Sequence, residues 1–283
     1  MISNEYIRLN RLIATIVFLV SFIVYYDTMA PTVSYWDCGE FIAVSHTLGV
    51  PHPPGSPFFL LLGRIASMLP ITEDIAFRVN LLSPISSAFA VMFLYLVIVL
   101  LVANWKGGIK NYQDSLVSFG GGVIGSLTFA FTDSHWFNAV EAEVYAFSTF
   151  FTAIVVWLIL KWNEKADEIG NERYILVIAY MIGLATGLHL LNLLAIPFIA
   201  LIIYFKKYEP NWKTFGYTVA ITGIVFFLIH NVIIKGMPKI ADSVGVWGAA
   251  CLVLSVFVFM IWAIKNQKLI LSLSLTSMVL ILI

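Results

Sequence analysis

An all-α, polytopic transmembrane helical bundle is the fold class this chain predicts, and two observations predict it. Of its 283 residues 60% are hydrophobic and only 11% are charged, and the mean hydropathy is +0.94. An ordinary soluble domain of this length does not reach that balance. The apolar residues also fall into long runs rather than into the short alternating stretches of a sheet protein.

Crossing the hydrocarbon core takes about 20 apolar residues in a helix. Runs of this kind lie at 12–26, 79–103, 116–132, 144–160 and 174–189, then at 193–205, 215–234, 246–264 and 269–283. That makes about nine spans, some of them short. The first run follows Arg8 and Arg11 and lacks a clean small-residue cleavage site, so it reads as a retained helix. The segment from Pro57 to Leu69, bracketed by Ser56-Pro57 and Pro70, differs from the others. As a helix it would cover only about 20 Å, which suits an interfacial helix in the first outer loop. Gly120, Gly121, Gly122 and Gly125 place small residues in the third run, which suits close helix packing.

Charge gives the orientation. With the N-terminus cytoplasmic, the 16 Lys and Arg all fall on the inner side except Arg64, Arg78, Lys235 and Lys239. The first outer loop, 27–78, and the second, around 131–147, then face the periplasm or lumen. The inner loop at 161–173 mixes both signs and reads as a solvated hairpin. Zero net charge gives no reason to expect nucleic acid as a partner, and two cysteines, Cys38 and Cys251, imply no disulfide framework. The chain stops at Ile283 inside an apolar run, so a single domain over 1–283, truncated at its C-terminus, is expected.

Chemistry concentrates in the outer loops. The stretch WDCGEFIAVSHTLGVPHPPGSP sets Asp37 and Glu40 three apart, on one face of a helix if the segment is helical, and follows them with His52 in a proline-stiffened loop. Asp-x-x-Glu ahead of an apolar run is also a capping box, in which Asp37 caps the helix and Glu40 reaches back to it. A carboxylate pair at the membrane edge of a charge-poor chain favours the functional reading. Glu141 and Glu143 in the second loop are two apart, so on a helix at most one of them joins the site. Trp36 offers an aromatic face beside a carboxylate, suited to a sugar. His189, with Asn192, lies at an outer hairpin within reach of the same cavity, or is simply satisfied there. Arg64, Arg78 and His52 are the nearest candidates to meet a phosphate, although an arginine at a span's end also snorkels and the proline-flanked loop around His52 also reads as a stiff connector. No metal-ligand spacing such as H-E-x-x-H, no GxxxxGK loop and no Gly-x-Ser-x-Gly is present. No resident metal or cofactor is expected.

The runs APTVSYWDCGEFIAVSHTLGVPHPPGSPFFLLLGRIASMLP, FRVNLLSPISSAFAVMFLYLVIVLL and HWFNAVEAEVYAF together resemble the family known as domain of unknown function 2723. This is the transmembrane protein 260-like family, glycosyltransferase family 117, and it is similar to the GT-C protein O-mannosyltransferases. The resemblance covers about residues 10–205, and D-x-G-E followed by H-P-P-G is its specific motif. It implies a GT-C-like bundle that takes a sugar, such as mannose, from a polyprenyl-phosphate donor on the periplasmic or lumenal face. The acceptor would be a hydroxyl, most simply a protein Ser or Thr. Asp37 and Glu40 stand where the family's first-loop acidic motif stands, and Glu141 or Glu143 where a second one does. Relatives continue well past this length, which bears on acceptor recognition. A transporter or flippase would use intramembrane carboxylates, broken helices and internal repeats, and this chain instead keeps its acids in outer loops. A noncatalytic membrane scaffold is the remaining reading.

Overall fold

The computed structural model describes residues 4–53 and 55–266. All regular structure among the described residues is helical. By internal contacts the chain divides into two units, Met1–Trp157 with Gly187–Leu190, and Leu158–Thr186 with Leu191–Ile283.

The first unit is built on long helices α1 (Asn4–Asp27), α5 (Leu82–Trp105) and α6 (Tyr112–Ala130). Between α1 and α5 lie three short helices, α2 (Cys38–Thr47), α3 (Pro57–Met68) and α4 (Ile75–Asn80). After α6 come α7 (Asp133–Ala139) and α8 (Val144–Lys165), which runs on into the second unit. Helices α1, α5 and α6 pack on one another around Ala14, Val17, Tyr25, Val91, Tyr95 and Phe119. Two of the glycines expected to allow close approach do so. A Cβ on Gly122 would lie 2.7 Å from Val99 and 2.9 Å from the Tyr95 ring, and one on Gly125 would lie 2.8 Å from Ile98. Gly120 and Gly121 face open space.

Local signals set the helix ends. Asn111 caps α6 by accepting the Asp114 N–H at 2.9 Å, and Asp74 caps α4 by accepting the Phe77 N–H at 3.1 Å. Pro57 opens α3 in the first turn, where its missing N–H costs nothing. Leu48, in the left-handed region at φ 53°, ends α2. The α3 helix lies against α2, where Gly63 admits Ser45: a Cβ on Gly63 would come within 2.7 Å of the Ser45 Cβ.

The second unit holds α9 (Glu172–Thr186), a 3₁₀ turn (Leu190–Leu194), α10 (Ala195–Lys207) and α11 (Trp212–Phe227), then a π-helical turn (Leu228–Ile234) and α12 (Gly236–Lys265). Gly245, at φ 76°, interrupts α12. At one end of this unit Asp167 pairs with Lys206 at 2.8 Å and Lys207 at 3.7 Å.

Among the described residues five helical stretches are long and apolar enough to cross a membrane: 5–27, 75–105, 144–165, 190–207 and 212–234. A sixth arises if α6 and α7, bent by 70° at their junction, count as one span. The run expected at 174–189 forms α9, which at 15 residues covers about 22 Å, shorter than the core of a bilayer. The run at 246–264 lies within α12, beyond Gly245. The ninth, at 269–283, falls outside the described residues.

Candidate active site

Asp37 begins α2, but its carboxylate makes no capping bond; only its backbone carbonyl enters the helix, accepting the Phe41 N–H at 2.9 Å. Glu40 does not reach back either. Its carboxylate instead accepts the His52 backbone N–H at 2.8 Å and lies 2.7 Å from the ring Nδ1. The capping-box reading is therefore set aside by geometry.

Held in this way, His52 turns its Nε2 toward Asp37, 3.8 Å from Oδ2. The Phe41 ring lies 5.7 Å from the imidazole, tilted against it by 55°. Glu40's hydrogen bond and charge, with a further contribution from Asp37, raise His52 above its ordinary value of 6.5. His52 reciprocally holds Glu40 below the usual carboxylate range. All three side chains are accessible to solvent, at 57%, 39% and 44% for Asp37, Glu40 and His52. Their nearest ligand atoms lie within 4.8 Å of one another. Two carboxylates and one imidazole are a donor set that accepts a divalent cation, so this is where a metal would be held if one is used.

The second acidic loop comes up beside this cluster. Residues 140–143 are not helical: the Glu143 N–H donates to the Glu141 carbonyl at 2.8 Å, closing a three-residue turn. This corrects the expectation that only one of the two glutamates joins the site, because helical spacing does not apply to a tight turn. Both side chains are buried, Glu141 at 3% and Glu143 at 6% exposure, and both bear on Cys38. Glu141 accepts the Ser34 hydroxyl at 2.5 Å through Oε2, while its Oε1 is buried without a hydrogen-bond partner. Glu143 accepts the Cys38 thiol at 3.9 Å and the Val144 N–H at 3.3 Å. Burial first, and then the charge of Asp37, push Glu143 up to about 7 from 4.5. Burial and the two glutamates likewise push the Cys38 thiol up, so Cys38 is a neutral hydrogen-bond donor and a poor nucleophile.

Other expected site residues are placed differently. Arg64 donates to the His46 carbonyl at the end of α2. Arg78 donates to the carbonyls of Leu69 at 2.9 Å, Asp74 at 3.4 Å and Glu73 at 3.5 Å. Both arginines thus hold turns around α3, and the basic side chain next to Asp37 is His52. His189 packs its ring on Tyr145, 5.0 Å away, at the head of α8. Its neighbour Leu188 accepts the Ser56 hydroxyl at 2.9 Å, which ties this hairpin to the start of α3. Asn192 is buried and donates to the Ala185 carbonyl within the second unit. Trp36 has φ 59° and is 84% exposed, so its ring stands free immediately before Asp37.

Sequence reasoning missed Asn80, which is fully buried at the end of α4. Its amide donates to the Ala30 and Thr32 carbonyls, both at 2.9 Å, and accepts the Ala142 N–H at 3.1 Å. The only signal was a lone amide at the start of the apolar run, in FRVNLL. Ser34 was likewise passed over.

Comparison with known proteins places this arrangement in a family. A family model described as the protein O-mannosyl-transferase TMEM260 N-terminal domain matches residues 37–212, from the first carboxylate of the site to the start of α11. The chain belongs to this family. It is 31% identical over 213 residues to a Dictyostelium discoideum protein named protein O-mannosyl-transferase tmem260, covering 70% of this chain and 24% of that protein. To the Mus musculus protein O-mannosyl-transferase TMEM260 it is 28% identical over 149 residues, covering 53% of this chain and 19% of that protein. The match thus spans about a quarter or less of each relative's length. No solved structure matches. The matched region contains Asp37, Glu40, His52, Asn80, Glu141 and Glu143, so the family's defining segment includes the whole cluster.

Proposed function

We propose that this chain is an inverting GT-C-type hexosyltransferase of the membrane, moving a sugar, in the first instance mannose, from a polyprenyl-phosphate donor to a protein Ser or Thr hydroxyl. The observation that carries this reading is the accessible, uncapped carboxylate of Asp37, 3.8 Å from a histidine that Glu40 holds in place. The relatives' names support the sugar and the acceptor class. Asp37 takes the proton of the acceptor hydroxyl as that oxygen attacks the anomeric carbon from the side opposite the phosphate. The bond from that carbon to the phosphate oxygen breaks, its electron pair stays on the phosphate, and configuration inverts. His52, made more basic by Glu40, faces the charge that develops on the leaving phosphate, a part expected of it together with Arg64 and Arg78. Trp36 offers its exposed face to the sugar ring.

In this reading the bundle has about nine spans, a cytoplasmic N-terminus and its site on the periplasmic or lumenal face, as the partition of Lys and Arg supports. The α3 helix lies in the interface. Leu61, Ile65 and Met68, at helical spacing, form an exposed apolar stripe on it, opposite the buried Phe59, Gly63 and Ala66. The partners are the bilayer, the lipid-linked donor and a protein acceptor, without nucleic acid.

The test is direct. Membranes carrying the chain are incubated with radiolabelled polyprenyl-phosphate mannose and a Ser/Thr-containing acceptor protein, and the product linkage is read after glycosidase digestion. Label on the acceptor in α-linkage, from a β-linked donor, is the expected result. Label that never leaves the lipid, or a retained β-linkage, contradicts the reading.

A further inference from the structure

Two loops 105 residues apart in sequence meet at the Cys38–Glu143 contact, and nothing covalent fixes their register. What fixes it is a short set of hydrogen bonds on the segment leading into Asp37. The Ala30 N–H donates to the Val140 carbonyl at 2.8 Å, and the Ser34 hydroxyl donates to Glu141 at 2.5 Å. Asn80 lies between the two loops, 0% exposed, with both ends of its amide in use. Its NH₂ takes two carbonyls of the first loop, and its oxygen takes one N–H of the second. An amide is one of the few side chains that can do this, since it carries donors and an acceptor in one rigid plane.

We propose that Asn80 is a positioning residue for the transferase site: by holding Ala30, Thr32 and Ala142 on one side-chain amide, it sets the Glu141–Glu143 turn against the segment that presents Asp37. This rests on the glycosyltransferase reading above. Asn80 touches neither substrate nor reacting atoms. It acts through the backbone of both loops, and Ser34 acts with it as a second, weaker tie. The ordinary alternative is a buried asparagine that serves only the fold, and the two differ in what substitution does to turnover.

The experiment uses the purified full chain in detergent, with Asn80→Ala and Ser34→Ala. Hydrogen exchange followed by mass spectrometry reads the Ala142 amide independently of any activity. Steady-state transfer from polyprenyl-phosphate mannose separates kcat from KM. The expected result is exchange at Ala142 about tenfold faster in Asn80→Ala, with kcat down about tenfold or more and donor KM within about threefold. Ser34→Ala is expected to lower kcat in the same direction and by less. Folded Asn80→Ala with fast exchange and wild-type kcat overturns the proposal, because register would then not matter to turnover. If Asn80→Ala does not fold, Ser34→Ala decides: lowered kcat at constant KM supports the proposal, and wild-type kcat overturns it. If the wild-type chain transfers no sugar, the glycosyltransferase reading falls and the positioning role with it, while the exchange data still report whether Asn80 ties the loops.

Discussion

Glu40 binds His52 at two points, its backbone N–H at 2.8 Å and its ring Nδ1 at 2.7 Å, so the imidazole has one orientation and presents Nε2 to Asp37. With the Nδ1 proton engaged by Glu40, the ring is charged when Nε2 also carries a proton. The contribution of this contact to stability is complete below the unfolded value of His52, 6.5, and is lost as pH rises through its raised folded value. From the other side it is lost as pH falls through the lowered value of Glu40.

Glu40→Gln should therefore move the alkaline limb of transfer activity to lower pH. The amide carbonyl still accepts the Nδ1 proton but no longer stabilises the imidazolium, so the ring loses its charge earlier as pH rises. A profile of kcat/KM over roughly pH 5 to 9 checks this. An unmoved alkaline limb would separate His52 from the titration.

Asp37→Asn should leave the fold nearly untouched, because the carboxylate makes no capping bond that the amide could lose. An exposed change of this kind costs within about 0.5 kcal/mol. Transfer should fall by about 10² to 10⁴, the usual contribution of a general base. Thermal unfolding in detergent and single-turnover transfer, measured on one preparation, distinguish the two effects. Near-normal transfer would shift the role of base away from Asp37.

Glu143→Gln tests the buried carboxylate. A carboxylate raised from 4.5 to about 7 on folding binds its proton more tightly in the native state, so native stability falls as pH rises between those values. Above pH 7 the cost is on the order of 3 kcal/mol. The glutamine variant should thus unfold at a higher temperature than wild type at pH 8, and the gap should close by pH 5. A gap that is constant with pH would mean that Glu143 is ionised without penalty.

Topology gives a prediction free of chemistry. On a background lacking Cys38 and Cys251, single cysteines at 46 and 165 are probed with a membrane-impermeant maleimide in sealed vesicles or cells. Position 46 should label from the outer side and position 165 only after permeabilisation, as the Lys and Arg partition requires. The reverse pattern inverts the assigned face.

What was legible in the sequence was local. Pro57 and the apolar run after it define α3, and residues 37–52 converge because one helix and one stiff loop bring Asp37, Glu40 and His52 together within a single short stretch. The Glu141–Glu143 turn was not legible, since Glu and Ala favour helix and the ties to Ala30, Ser34 and Asn80 that hold the chain there are tertiary. That Arg64 and Arg78, offered as partners for a phosphate, hold turns instead was not legible, because backbone carbonyls, the acceptors they use, leave no mark on a sequence. Asn80 was overlooked for a related reason: one amide among apolar residues does not reveal that its three partners lie 50, 48 and 62 residues away.

The bend of 70° between α6 and α7 limits how the length of this chain can vary. Gly122 and Gly125 fix the rotation of α6 against α5, and a few residues later the bend directs α7 and the acidic turn toward the first loop. One residue inserted between Gly125 and Ala130 would turn everything after it by about 100° and carry Glu141 and Glu143 away from Cys38. An insertion at 106–111, ahead of the Asn111 cap, would be absorbed by the loop. Natural length variation in this stretch should therefore fall on the loop and spare the last turns of α6.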